Sequence, residues 1–261
     1  HGRVALIDAI KGSCNVYFYN TGMGVGVDAM HKYSGLFGLG QLTGLGLLNE
    51  KEGLVPSSNW KQRVLNEPWY LGENPSMAIG QGYIIVTPLQ VLNMINILAN
   101  NGMWIPPKLL LDQEGISPQE IPLKREYLGL IREGMVAVVN EVGGTARKVQ
   151  FEEFTVAGKT ATSQVVSHET LETLDNETKS KREIQNHAWF VAFGPVEDPE
   201  ISALALVEHG GGGSKAAAPI VRKILSYYID NIYKPKPQKT MQTDFESKNI
   251  KFNDRLQKAF N

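Results

Sequence analysis

Two short stretches of this 261-residue chain carry side chains able to do acid–base and hydrogen-bonding chemistry. The first is Ser13-Cys14-Asn15, which follows Gly12 at the end of a run of apolar residues at helical spacing, Leu6, Ile7 and Ile10. At a sharp turn between helices, alternate side chains project to one side, so a hydroxyl and a carboxamide can face one cleft. The hydroxyl can shuttle a proton, and the amide can both donate to and accept from a peptide-like ligand. The second stretch is Gly158-Lys159-Thr160-Ala161-Thr162-Ser163-Gln164, which reads as a strand after a glycine. Strand alternation sets Lys159 and Ala161 on one face, Thr160 and Thr162 on the other. A lysine, two hydroxyls and free strand-edge amides form an edge that can bind a carboxylate and a peptide. Each stretch also has an ordinary reading. Ser and Asn are common turn and capping residues, and lysine is common on solvated edge strands.

A phosphate-binding loop is the rival reading of Gly158-Lys159-Thr160, but the upstream glycine that such a loop requires is absent. Gly210 to Gly213 after His209 follows a strand without the spacing of a phosphate cradle. His31, His168, His187 and His209 are scattered and read as structural or solvated.

The elements that must position these residues follow from periodicity and breakers. A second helix runs through Val16, Tyr19 and Met23, and a glycine-punctuated segment leads to Gly40. Residues 41–82 are rich in Gly, Pro, Asn and Trp with little periodicity and read as a long functional loop. Thr87 as N-cap and Pro88 at the first helical position open a helix that ends near Asn100-Asn101-Gly102. Lys124 to Glu141 is another amphipathic helix, stopped by Gly143-Gly144. Strand signals follow at Phe154–Ala157, Thr160–Val166, Ala188–Phe193 and Ile201–Val207, with a charged, solvated insert from Ser167 to Asn186. Ala216 to Ile232 is the final helix, and the polar composition after Lys234 reads as a mobile tail. Helices first and clustered short strands later read as a mixed sheet, antiparallel where strands follow one another closely, with helices on its faces.

Composition narrows the class. Hydrophobic residues make up 42% and charged ones 20%, which excludes global disorder. A net charge of −1 gives no general attraction to nucleic acid. The single cysteine, Cys14, excludes an internal disulfide framework and a four-cysteine zinc site. The most apolar stretch, Tyr83 to Ala99, is interrupted by polar residues and reads as a buried helix, not a membrane span. The start at His1, without Met or a signal-peptide pattern, reads as the C-terminal piece of something longer.

Taken in order, the motifs resemble the class B penicillin-binding proteins, the peptidoglycan transpeptidases. Ser13-Cys14-Asn15 looks like their Ser-x-Asn motif, and Lys159-Thr160-Ala161-Thr162 like their Lys-Thr-Gly-Thr strand. The connecting text is similar too: Val16-Tyr17-Phe18-Tyr19; Phe37-Gly38-Leu39-Gly40 with Thr43-Gly44; Gly53-Leu54-Val55-Pro56-Ser57; Ile79-Gly80-Gln81-Gly82-Tyr83; Val86-Thr87-Pro88-Leu89-Gln90; and His187-Ala188-Trp189-Phe190-Val191-Ala192-Phe193. The resemblance covers roughly residues 1–230 and is greatest to the penicillin-binding protein 2 branch of the rod-elongation machinery. It implies a β-lactamase/transpeptidase-like α+β fold with a mainly antiparallel five-stranded sheet between helical layers, here partial. Residues 1–233 would be the partial transpeptidase domain and 234–261 a flexible tail.

The resemblance further implies a D,D-transpeptidase that cross-links stem peptides by serine acyl transfer and accepts β-lactams. Ser13 would relay protons with Lys159, and Asn15 would hold the substrate amide. Thr160 and Thr162 would bind the terminal carboxylate region beside Ala161, and the Thr162 N–H would supply half of an oxyanion hole. No organic cofactor is needed. The implied partners are a membrane-embedded glycan polymerase and elongation scaffolds, on the outer face of the cytoplasmic membrane, with the anchor in a missing N-terminal segment.

Two departures from the family pattern stand out. The family's Ser-x-x-Lys nucleophile motif lies some tens of residues before Ser-x-Asn, and only twelve residues precede Ser13 here. The fragment alone is therefore expected to be inactive. Ser58-Asn59-Trp60-Lys61 matches the expression but follows Ser13 inside the long loop, with no evident helix N-terminus, and reads as a decoy. Ala161 also stands where the family usually has Gly, and its methyl can crowd a docking backbone. That departure keeps a second reading open, a transpeptidase-like binding or sensor module without turnover. Some members also have a His-Gly at the first position and Cys in the second motif. For them the resemblance implies a structural zinc completed by two upstream Asp side chains, with His1 and Cys14 as half of the site. The other reading of Cys14 is a buried small hydrophobe.

Overall fold

In a computed structural model of the chain, residues 2–110, 117–166 and 168–232 are described. Contacts divide the chain into a unit of residues 1–227 and a unit of residues 228–261, the described part of the second being the end of the last helix. Helices come first: α1 Leu6–Lys11, α2 Asn15–Val25, α3 Val27–Leu36, α4 Ser58–Leu65, α5 Asn74–Ala78 and α6 Pro88–Ala99. The short strands β1 (Met103–Trp104) and β2 (Gln119–Glu120) precede α7 (Arg125–Asn140). Then follow β3 (Ala157–Ser163), α8 (His168–Thr173), α9 (Asn176–Ser180), β4 (His187–Gly194), β5 (Ile201–Val207), α10 (Gly213–Ala216) and α11 (Ala218–Asn231).

The fold is α+β with antiparallel pairing, as expected, but the sheet is smaller than the resemblance implied. Among the described residues, five strands divide into a two-stranded β1-β2 ladder and a three-stranded sheet in the order β3-β4-β5. Among the described residues, only 157–163, 187–194 and 201–207 are extended runs long enough to build the larger sheet, and the first hundred residues are predominantly helical. The expected strands at Phe154–Ala157 and Thr160–Val166 are in fact one strand, β3. It is continuous because Gly158 and Lys159 pair with Ala192 and Val191 like their neighbours. The strand does not reach Phe154, whose ring stacks on Phe151 at 4.6 Å. The tail from residue 234 lies outside the described residues.

Local signals explain the helices. Thr87 and Gln90 form a reciprocal capping box at the start of α6, with Pro88 as its first residue. The stretch from 41 to 82 is not one loop. It holds α4, capped by the Ser57 hydroxyl that accepts from the Trp60 N–H, and α5. The helix N-terminus missing from the sequence reading is therefore present at Ser58. Ser58 and Lys61 nevertheless have other partners: Ser58 donates to Asp28, and Lys61 pairs with Glu73. Lys61 is 1% exposed and lies over the Tyr70 ring at 4.3 Å, so this segment packs around a buried cation instead of an apolar stripe. Apolar periodicity could not reveal that arrangement.

The main core gathers Ile10, Leu128, Val138, Val139, Val156, Phe190, Phe193, Val221 and Leu225. Helix α7 is its centre, because it backs both α1 and β3. Gly134 in α7 lets α1 approach closely: a Cβ there would lie 2.8–3.0 Å from Ile10 side-chain atoms. Gly158 does the same for β3, where a Cβ would meet Phe190 at 2.8 Å and Val139 of α7 at 3.1 Å. The two motif-bearing elements thus rest on one helix. Gly134→Val should overpack the α1–α7 contact and destabilise the protein by about 1–3 kcal/mol in urea denaturation. An unchanged midpoint would contradict this role for the glycine.

Candidate active site

Helix α1 ends in a two-bond C-cap. The Cys14 N–H donates to Ala9 O at 2.9 Å and the Ser13 N–H to Ile10 O at 3.2 Å, the Schellman pattern. The residue at its left-handed position is normally glycine, but here it is Ser13, at φ 51°. A side chain in that conformation is strained by about 1 kcal/mol, and the turn holds its hydroxyl at one place. Cys14, the next residue, is buried, as is its hydrogen-bond partner Ala9. Asn15 is the first residue of α2 and is exposed.

Strand β3 lies at the edge of its sheet. Its Lys159 Nζ donates to Ser13 Oγ at 3.0 Å, across 146 residues of sequence, and to Thr160 O at 2.8 Å. Burial pushes the Lys159 pKa down to about 8, because a low-dielectric surrounding disfavours the ammonium. Near that pH the group exchanges between a donor to Ser13 and an amine able to accept its proton.

The free edge can be identified from its partners. Thr162 O accepts from Gln81 Nε2 at 3.3 Å, and Thr160 O accepts from Lys159, so these carbonyls point away from β4. In an antiparallel strand a residue's N–H and C=O point the same way, so the Thr162 N–H also faces the open edge. Ala161 and Thr162 are exposed. Thr160 turns its hydroxyl to the other side of the strand from Lys159, 2.9 Å from the Thr145 hydroxyl. The structure brings the Ser13 and Lys159 side chains together, with Thr162 exposed on the same strand edge, Asn15 two residues from Ser13, and the Thr160 hydroxyl on Thr145.

Two neighbours escaped the sequence reading. Gln81 sits inside the quoted Ile79–Tyr83 segment, yet only the fold shows it on the β3 edge. Thr145 follows the helix stop Gly143-Gly144 and carries no motif of its own. His187 and His209 meet edge to face with ring centroids 4.7 Å apart, and the His209 backbone N–H donates to His187 Nδ1. The turn at Gly210–Gly213 leads into α10. For the half-site of zinc, Cys14 is inside the described residues and His1 is not. Among the described residues no three His, Cys, Asp or Glu side chains cluster to hold a metal, so they do not themselves make up a four-ligand site.

The model of the penicillin binding protein transpeptidase domain matches residues 1–226. The chain belongs to this family. Among curated proteins, the peptidoglycan D,D-transpeptidase MrdA of Haemophilus influenzae is 37% identical over 241 residues, covering 88% of this chain and 37% of that protein. Among solved structures, the complex between Penicillin-Binding Protein (PBP2) and MreC from Helicobacter pylori superposes with a TM-score of 0.78 at 33% identity. It covers 89% of this chain and 42% of that one. A peptidoglycan synthase complex, described as the structural coordination of polymerization and crosslinking, gives a TM-score of 0.73 at 29% identity over 89% of this chain and 39% of that one. The chain thus spans well under half the length of these relatives.

The electrostatics of the site can be checked directly. The Lys159 pKa is lowered in the folded protein, so between about pH 8 and about 10.4 the unfolded chain binds the extra proton. Stability contributed by this group rises with pH across that window, and below it the cost of burying the ammonium is fully present. A carbon-detected NMR titration of Lys159 should show an inflection near pH 8. An ordinary lysine inflection near 10.4 would contradict a desolvated site.

Proposed function

We propose that the full-length protein is a serine-type D,D-transpeptidase that cross-links peptidoglycan stem peptides. The observation that carries this reading is the 3.0 Å contact between Lys159 Nζ and Ser13 Oγ beside an open strand edge. In the reaction a serine attacks the D-Ala-D-Ala peptide bond, D-Ala leaves, and an amine of a neighbouring stem resolves the acyl-enzyme. The attacking serine comes from a Ser-x-x-Lys segment outside residues 1–261, so this chain alone is inactive. Ser13 and Lys159 relay the proton between that serine and the leaving amine. Asn15 holds the substrate amide, and Thr160 and Thr162 take the terminal carboxylate. The outward Thr162 N–H is half of an oxyanion hole. β-Lactams acylate the same serine.

The names of the relatives support the setting. An elongation scaffold and a membrane glycan polymerase are the partners proposed for the full-length protein, on the outer face of the cytoplasmic membrane. Among the described residues no helix is long and apolar enough to cross a membrane; the anchor is proposed to lie in a segment outside this chain. Catalysis uses no organic cofactor. Any zinc held by Cys14 and His1 would be structural and would need two ligands from that same outside segment.

Acylation of the full-length protein by a fluorescent penicillin tests the reading. Ser13→Ala and Lys159→Ala should each slow it by about 10²–10⁴-fold, the usual share of a positioned proton-transfer group. The parent rate should rise with pH through about 8, as Lys159 becomes a neutral amine. Lys159→Arg, which stays protonated, should lose that rise. Normal acylation in both alanine variants would sink the assignment.

A further inference from the structure

Thr145 touches both halves of the site. Its N–H donates to Lys11 O, the last residue of α1, at 3.3 Å, two residues before Ser13. Its hydroxyl lies 2.9 Å from the hydroxyl of Thr160 on β3. The turn that carries it is itself fixed. The Gly144 N–H donates to Glu141 O, the Ala146 N–H donates to Val138 O, and Lys11 pairs with Glu141 at 3.0 Å. A Cβ on Gly144 would lie 2.4–2.5 Å from the carbonyl oxygens of Val138 and Ala137, so this turn is pressed onto the end of α7.

Two hydroxyls at this distance share one hydrogen bond, and either can be the donor. A carboxylate at Thr160 removes that freedom. A carboxylate only accepts, so Thr160 must give its proton to the ligand and take its own hydrogen bond from Thr145. The resulting chain, Thr145 to Thr160 to carboxylate, runs in one direction, and each bond polarises the next.

We propose that Thr145 is a specificity-determining positioning residue that keeps the Thr160 hydroxyl a donor toward the ligand's carboxylate. The proposal rests on the reading that Thr160 meets that carboxylate. Valine at position 145 keeps the branched shape and removes the donor; serine keeps the donor and removes the methyl. Only loss of the donor should then change how the site tells a carboxylate from a neutral group.

The test uses full-length protein and competition against a fluorescent penicillin. One competitor is an acyl-D-Ala-D-Ala peptide with a free carboxylate, and the other is its C-terminal amide. Thr145→Ser should keep the parent's preference for the carboxylate. Thr145→Val should lower that preference about fivefold, read as the ratio of the two peptides' inhibition constants, in which any effect on the penicillin's own carboxylate cancels. An undiminished preference in Thr145→Val, or equal loss toward both peptides, would overturn the proposal. Should the valine variant fail to fold, Thr145→Ala is judged by the same outcomes. Thr160→Val separates the two levels: if it retains the parent's preference, the carboxylate reading of Thr160 itself falls.

Discussion

Ser13 and Lys159 are 146 residues apart in sequence, and a 3.0 Å contact between their side chains depends on a shared support. Helix α7 is that support. Its Gly134 admits Ile10 of α1, and its Val139 lies under Gly158 of β3. The turn after it adds the Lys11–Glu141 ion pair and the Thr145 bonds to Lys11 and Thr160. Two elements that never pair with one another are thus held in register by what lies behind them, through close packing that tolerates little change in volume.

The site itself is kept in an unfavourable state. Ser13 occupies a left-handed position that glycine would fill without strain, and Lys159 is desolvated enough to bring its pKa to about 8. The backbone strain, on the order of 1–2 kcal/mol at Ser13, and the desolvation persist only where surrounding structure over-determines them. Here the two-bond cap of α1 and the paired strand β3 do so. Strain at Ser13 and desolvation of Lys159 meet at one hydrogen bond, the kind of arrangement proton-transfer chemistry uses.

Much of this was legible in the residues. The helix stop at Gly12 and the Thr87-Pro88 start follow from local chemistry, and the structure keeps them. What was not legible is long-range. The segment 41–82 folds around the buried Lys61, whose partner Glu73 and ring neighbour Tyr70 show no period. Thr145 belongs to no motif and matters only because α7 delivers it between α1 and β3. The strand count was misjudged for a related reason. Extended propensity at Phe154 and at Thr160 gave two signals, whereas pairing with β4 decides where one strand begins.

The central claim is that Ser13 and Lys159 act as one unit, and a double-mutant cycle measures that directly. Acylation rates of the full-length protein would be compared for the parent, Ser13→Ala, Lys159→Ala and the double variant. If the two groups form a single proton path, the double variant is about as slow as the slower single one. Losses that multiply would show two independent contributions and contradict the account.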